Sequence, residues 1–211
     1  MPDLPTLMLF LLAALGLLLV PGPAVLYIVT RSAAHGRRAG FASVMGVEIA
    51  SLIHSMAAAL GLSALLLASA TAFQIVKYVG AAYLVYLGIR TLLTREDENT
   101  LAVPKEAKLS QLFGKGLLVN LLNPKTALFF YAFLPQFVDP RKGGIQVQIF
   151  LLGILFVMLA TCTDGLYSLL ASSVGKLIFK SHAIRRVRRY VSGGIYVALG
   201  IAAAVTGTEK R

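Results

Sequence analysis

The sequence predicts an all-α polytopic membrane protein with six transmembrane helices. Of the 211 residues, 57% are hydrophobic and only 14% are charged, whereas a typical soluble domain is about 45–50% apolar and about 25% charged. The apolar residues also stand in long blocks, and a chain of this size cannot bury them all in one core. These observations exclude a soluble globular enzyme, a disordered chain and a coiled coil.

Six blocks are long enough to cross a membrane, which takes about 20 apolar residues. We place the six helices at about residues 4–30, 40–70, 73–93, 117–138, 145–173 and 190–206. The first block lacks the preceding basic residues of a signal peptide, so we expect it to be retained as a span. The segments between the blocks are too short for a soluble domain, which predicts a single membrane domain over residues 1–211.

The net charge of +11 would suggest nucleic acid in a soluble protein, but cytoplasmic loops of membrane proteins also collect Lys and Arg. Fourteen of the 20 Lys and Arg residues fall in or beside the first, third and fifth loops, against five on the other side. We therefore predict cytoplasmic odd-numbered loops and both termini outside. The basic segment Arg185–Arg189 is interpreted as lying on anionic lipid, and the expected partner is the lipid bilayer, with no nucleic acid.

The two halves of the chain carry matching features. A helix-breaking proline motif interrupts the first span of each half, at Pro21-Gly22-Pro23 and at Asn123-Pro124. The second span of each half carries one acid, Glu48 or Asp164. Because three spans per half force the halves into opposite orientations, this pattern predicts an inverted 3+3 transporter repeat with broken helices 1 and 4.

These unusual residues are predicted to share one depth in the membrane. Gly22, Glu48, Pro124 and Asp164 stand nine to twelve residues from a basic residue at the cytoplasmic edge. At a rise of about 1.5 Å per helical residue, all four lie roughly 14–18 Å from that edge, near the middle of a hydrocarbon core about 30 Å thick.

Helix breaks at the membrane centre favour anion binding. A helix that restarts with Asn123 as its N-cap and Pro124 in its first turn presents N–H groups and a favourable dipole to an anion, and Lys125 adds a positive charge. Pro21-Gly22-Pro23 opens a second such end, so a substrate carboxylate could dock at either. The alternative is a simple proline kink in each helix.

Intramembrane acids are costly and functional by default. Glu48 and Asp164 are predicted to bind an ammonium group, to couple protons, or both, with a structural pair to Lys125 as the alternative. Burial disfavours the charged form of a carboxyl group, and we take Asp164 first and Glu48 second as the proton-coupling residue. Each acid shares a polar helix face with neighbours at helical spacing. These neighbours are Ser51, Leu52 and Ser55 for Glu48, and Thr161, Tyr167 and Ser168 for Asp164.

Two further residues are interpreted as structural. His54 lies about 120° around the helix from Glu48, so the two would not hold one metal ion, and we expect a hydrogen-bonded packing residue. Cys162 is predicted to pack in the core. No cofactor and no metal site are predicted.

Several segments resemble the LysE/RhtB family of bacterial amino-acid exporters, over nearly the whole chain. The segments are Pro21-Gly22-Pro23, Gly46 to His54 with Ala59-Leu60-Gly61-Leu62, residues 77–88, Asn120 with Asn123-Pro124-Lys125, and Phe133-Leu134-Pro135-Gln136-Phe137. The resemblance implies a secondary transporter of the bacterial inner membrane that exports amino acids or their derivatives from the cytoplasm, coupled to proton entry. Homo-oligomerisation is left open, as is the identity of the amino acid.

The site prediction combines the residues with this resemblance. The predicted substrate-binding residues are Pro21, Gly22, Pro23, Glu48, Asn120, Asn123, Pro124, Lys125 and Asp164. One alternative is a metal or cation exporter that uses Glu48, His54 and Asp164. Another is an intramembrane enzyme with Glu48 and Asp164 as acid and base, for which the sequence offers no nucleophile at matched spacing. We expect a transporter that is not an enzyme.

Overall fold

A computed structural model describes residues 2–68 and 108–174, together with isolated helical positions between residues 71 and 93 and between 190 and 201. All regular elements in this part of the chain are helical, as the sequence predicts. The predicted spans at 73–93 and 190–206 are described only at those isolated positions, and Arg185–Arg189 lies outside the described residues.

The first span is broken into two helices. Helix α1 covers Leu4–Leu19, and the Asp3 side chain caps it by accepting a hydrogen bond from the Thr6 N–H at 3.1 Å. Helix α2 covers Pro23–His35 and begins with Gly22 as its N-cap and a proline in its first turn. The two axes are bent by 54° at the break. The break therefore falls at the Pro-Gly-Pro motif, where proline cannot donate to the preceding turn.

The second broken span follows the same plan. Helix α4 covers Leu109–Leu121 and helix α5 covers Pro124–Leu128, which continues through a π-helical turn at Phe129–Phe133 and a 3₁₀ turn at Leu134–Phe137. The bend between the two parts is 51°. Both proline motifs thus produce a break of similar angle, as the predicted broken helices 1 and 4 require.

Two long helices run unbroken beside them. Helix α3 covers Arg37–Ala68 and helix α6 covers Ile145–Val174. Gly36 separates α2 from α3 with a φ of 80°, a left-handed conformation that glycine adopts without steric cost. In the described part of the chain, the stretches 37–61 and 145–173 are apolar and long enough to cross a membrane, and there are up to four spans if each bent pair counts as one.

Small residues bring helices α3 and α4 into backbone contact. Gly46 of α3 faces the carbonyl of Phe113 on α4, and Gly116 of α4 faces the carbonyl of Ser43 on α3. A side chain at either glycine would collide with that backbone. Close approach at small residues is how membrane helices gain packing energy without a hydrophobic driving force.

An aromatic cluster packs between α1, α6 and the turns that follow α5. It joins α1, the turns after α5 and the first half of α6, and its members are Phe10, Phe129, Phe130, Phe133, Phe137 and Phe156. The Phe129 and Phe156 rings stack with their centroids 4.1 Å apart. The first break lies beside this cluster, because Leu17, Leu18 and Val20 at the end of α1 belong to it.

Several helix ends differ from the predicted spans. Helix α4 begins at Leu109, ahead of the predicted 117, and α2 continues to His35, beyond the predicted 30. The prediction followed hydrophobicity, but a helix continues past the apolar boundary as long as its polar side chains reach water. Cys162 is exposed, so the expectation of core packing was wrong: in a helix that is apolar nearly all round, hydrophobicity does not show which residues face the neighbouring helices.

Candidate functional site

A small polar cavity lies where the two helix breaks meet. Its volume is about 30 Å³, and six of the nine predicted site residues line it: Gly22, Glu48, Asn120, Asn123, Lys125 and Asp164. The breaks bring α2 and α5 to the cavity, while Glu48 comes from α3 and Asp164 from α6. Pro21, Pro23 and Pro124 do not line it, so in this conformation the prolines shape the backbone and face elsewhere.

The two acids meet in this cavity with incomplete hydrogen bonding. Glu48 is 4% exposed and Asp164 is 3% exposed, and their charges interact with each other. Both oxygens of Glu48 and Oδ1 of Asp164 have no hydrogen-bond partner in the part of the chain that the structure describes. Buried polar atoms are almost always satisfied, so these three oxygens are the acceptors that the cavity can offer to water or to a bound molecule.

Lys125 links the two breaks. Its ammonium group on α5 donates a hydrogen bond to the carbonyl of Val20, 105 residues earlier, at the end of α1. The neighbouring carbonyl of Leu19 accepts a hydrogen bond from the Tyr167 hydroxyl at 3.0 Å. The last carbonyls of a helix have no partner within it, and here the side chains of α5 and α6 supply the donors. The charge of Lys125 also interacts with Asp164.

Asn120 holds α3, α4 and α5 together with its full hydrogen-bonding capacity. Its amide nitrogen donates to the Val47 carbonyl at 2.8 Å and to Ser51 Oγ at 2.9 Å. Its amide oxygen accepts from Thr126 Oγ1 at 2.7 Å and from Asn123 Nδ2 at 3.3 Å. A carboxamide has two donor hydrogens and two acceptor sites, so Asn120 has none left for a ligand in this conformation.

His54 is engaged on both ring nitrogens. Nε2 lies 3.3 Å from the Asn120 carbonyl and Nδ1 lies 3.0 Å from the Tyr131 hydroxyl. A carbonyl oxygen can only accept, which assigns the hydrogen to Nε2 and leaves Nδ1 as the acceptor of the tyrosine O–H. The ring also stacks on Phe130 at 6.0 Å. The predicted hydrogen-bonded packing role agrees with this geometry.

The two helix starts at the cavity differ in what they offer an anion. At α5 the Asn123 side chain accepts from the Lys125 N–H at 3.1 Å and so occupies one of the first-turn donors. At α2 the N-cap is Gly22, which provides no side-chain acceptor, and Ala24 and Val25 of the first turn line the cavity. First-turn N–H groups have no partner within their helix, so α2 is the more available of the two.

Three contributors to this site were not predicted from the sequence. Thr126 and the carbonyls of Val20 and Leu19 join the network through the bonds described above. The sequence did contain a signal for Thr126, because it is a polar residue in the first helical turn after Asn123-Pro124. Among the predicted polar faces, Ser51, Ser55 and Ser168 are buried, whereas Thr161 is exposed and faces away from the cavity.

Residues 15–207 match the family described as LysE type translocator, nearly the whole chain. The chain belongs to the LysE type translocator family. This membership confirms the resemblance noted from the Pro21-Gly22-Pro23 and Asn123-Pro124-Lys125 motifs, and it agrees with an all-helical membrane fold. In this member of the LysE family, each of the two motifs contributes to the cavity lining, through Gly22 and through Asn123 and Lys125.

Curated relatives extend over most of this LysE family chain. An uncharacterized membrane protein of Vibrio cholerae is 30% identical over 94% of this chain and 96% of its own length. An uncharacterized membrane protein of Pseudomonas aeruginosa is 34% identical over 72% of each chain. A leucine efflux protein of Salmonella choleraesuis is 29% identical over 89% of each chain. No solved structure matches the chain.

Proposed function

We propose that this protein is a secondary transporter that exports amino acids from the cytoplasm and is driven by proton entry. The observation that carries the proposal is the cavity between two broken helices, which presents carboxylates beside a free helix N-terminus. Family membership and the 29% identical leucine efflux protein support amino-acid export. The substrate class follows from those relatives, and the binding mode and coupling follow from the residues below.

An α-amino acid carries an ammonium and a carboxylate group on one carbon, and the cavity offers a partner for each. The ammonium binds at the two acids, where Glu48 and Asp164 have carboxyl oxygens without a hydrogen-bond partner among the described residues. The carboxylate binds the first turn of α2 at Gly22, where the helix dipole favours an anion. Lys125 and the cap residue Asn123 complete the wall on the α5 side.

The site as observed is too small for its substrate. A cavity needs roughly 10–15 Å³ to admit one water, and ligand sites usually measure about 300–1,000 Å³. The volume of about 30 Å³ therefore holds about two waters. We infer that the structure represents a contracted state, and that transport alternates it with states in which the helices around the breaks separate.

Efflux from cells tests the function directly. Bacteria that lack their own exporters and express this chain are fed a panel of dipeptides, beginning with leucine-containing ones because of the relative named above. We expect one or a few amino acids to leave the cells unchanged and faster than from cells with an empty vector. If no amino acid in the panel leaves faster, amino-acid export is rejected.

We further propose an inner-membrane location with both termini outside and odd-numbered loops in the cytoplasm. Charge distribution supports this orientation. Single cysteines placed near Arg37, Asn99 and Ser181 in a variant without Cys162 should resist an impermeant thiol reagent in intact cells and react after lysis. Labelling of position 99 from outside would reject the orientation.

Metal or cation export stays the second candidate from the sequence, but the geometry does not favour it. His54 directs both nitrogens at Tyr131 and Asn120 and does not line the cavity with Glu48 and Asp164. In the part of the chain that the structure describes, no three His, Cys, Asp or Glu residues are placed to hold one ion.

A further inference from the structure

The cavity holds two acids and one base, and they are not equivalent. Lys125 interacts with Asp164 from α5 across to α6 and donates its hydrogen bond to the Val20 carbonyl. Glu48 on α3 has no hydrogen-bond partner for either oxygen among the described residues, although it is 4% exposed. Among the described residues, the charge of Lys125 therefore acts on Asp164, whereas Glu48 has two buried oxygens without a hydrogen bond.

Among the described residues, α1, α2 and α4 offer Glu48 no positive charge. The α4 side contributes Asn120, whose donors are used by Val47 and Ser51. The α1 and α2 sides contribute only apolar side chains and Gly22 to the cavity lining. The titratable side chains of the described residues that line the cavity with Glu48 are thus Asp164 and Lys125.

We propose that Glu48 is the single carboxyl group for which a proton and the substrate ammonium compete, while Asp164 is retained as the counter-ion of Lys125. This inference rests on the proposed function and assigns its coupling step to one residue. It reverses the order of the two acids expected from the sequence, which left a pair with Lys125 open for both acids; the interaction of Lys125 with Asp164 is seen in the structure.

The exchange balances at one proton per substrate. A buried carboxylate without a partner is strongly disfavoured, so the empty cavity holds Glu48 as the neutral acid. When the substrate enters from the cytoplasm, its ammonium replaces that proton, which leaves to water, and an ion pair forms between the Glu48 carboxylate and the ammonium. On the outside a proton binds Glu48 again and the substrate is released. Asp164 keeps its negative charge near that of Lys125 throughout.

Competition for one carboxyl group has a measurable signature. Counterflow is measured in vesicles that contain the purified full chain, at a series of pH values that are equal on both sides. The substrate is leucine, or whichever amino acid is exported most in the dipeptide panel. We expect the half-saturating concentration to rise by up to about tenfold per pH unit on acidification, as linkage to one proton requires. The maximal rate should change little.

Two variants assign the signature to a residue. Glu48→Gln should bind more weakly and lose the pH dependence of half-saturation. The charge-balanced double variant Asp164→Asn with Lys125→Met should retain that dependence, at whatever rate it works. If Glu48→Gln retains the wild-type pH dependence, or if the double variant loses it, the assignment to Glu48 is wrong.

A binding measurement keeps the test independent of transport rates. Infrared difference spectra on addition of the same amino acid should show the loss of a protonated carboxyl band in the wild type and in the double variant, and no such loss in Glu48→Gln. A band change that survives Glu48→Gln would overturn the proposal. A wild-type protein that exchanges no amino acid at any pH would instead reject the proposed function.

Discussion

Replacing Asn120 should destabilise the fold far more than an average polar substitution in a membrane helix. Its side chain makes four hydrogen bonds to α3, α5 and the break between α4 and α5. Hydrogen bonds between membrane helices contribute on average about 0.6 kcal/mol each. Asn120→Leu, which keeps the approximate volume, should therefore lower the free energy of unfolding by about 2–3 kcal/mol.

A matched pair of threonine variants calibrates this value. Thr126→Val removes one of the four bonds to Asn120 and should cost about 0.6 kcal/mol. Thr161→Val is the control, because that hydroxyl bonds only the Val157 carbonyl of its own helix and the residue is exposed, so we expect almost no change. Unfolding is followed by circular dichroism during titration of detergent micelles with SDS. The reasoning is refuted if Asn120→Leu unfolds at the same SDS fraction as Thr161→Val.

Three further variants test the breaks and the packing. Pro124→Ala should abolish efflux with normal membrane insertion, because a continuous helix would close the break that brings Asn123 and Lys125 to the cavity; unchanged efflux would leave Pro124 as a kink only. Gly46→Val should prevent assembly, since its side chain meets the Phe113 backbone, whereas a Cβ at Gly61 meets no described atom within 4 Å, so Gly61→Val should be tolerated in thermal unfolding. Phe129→Ala should cost about 3–5 kcal/mol of unfolding free energy, and a loss below 1 kcal/mol would contradict a tightly packed aromatic layer.

Local chemistry made part of this site predictable. Proline interrupts a helix wherever it stands, so the breaks after Leu19 and before Pro124 follow from the sequence. The buried positions of Glu48 and Asp164 follow from their place in apolar blocks. The helix ends were predicted less well from the sequence, because α4 already begins in the polar segment at Leu109.

Contacts between distant parts of the chain were not predictable. Nothing near Lys125 in sequence points to the carbonyl of Val20, because any helix end leaves such carbonyls free and only the fold selects one. The use of all the hydrogen-bonding positions of the Asn120 side chain also depends on distances across three helices, which the sequence does not give. The exposure of Cys162 depends on how α6 is rotated against its neighbours, and hydrophobicity alone does not determine that rotation.

The bond from Lys125 to Val20 has a mechanical consequence. It spans from the break in one half of the chain to the break in the other, so the two helix breaks share one side chain. A hydrogen bond fails once its donor and acceptor separate much beyond 3.5 Å. Either break can therefore shift by only a fraction of a helical turn before it must carry the other with it or release the lysine. The two bend angles are therefore coupled, and a large change in one either changes the other or breaks the hydrogen bond between Lys125 and Val20.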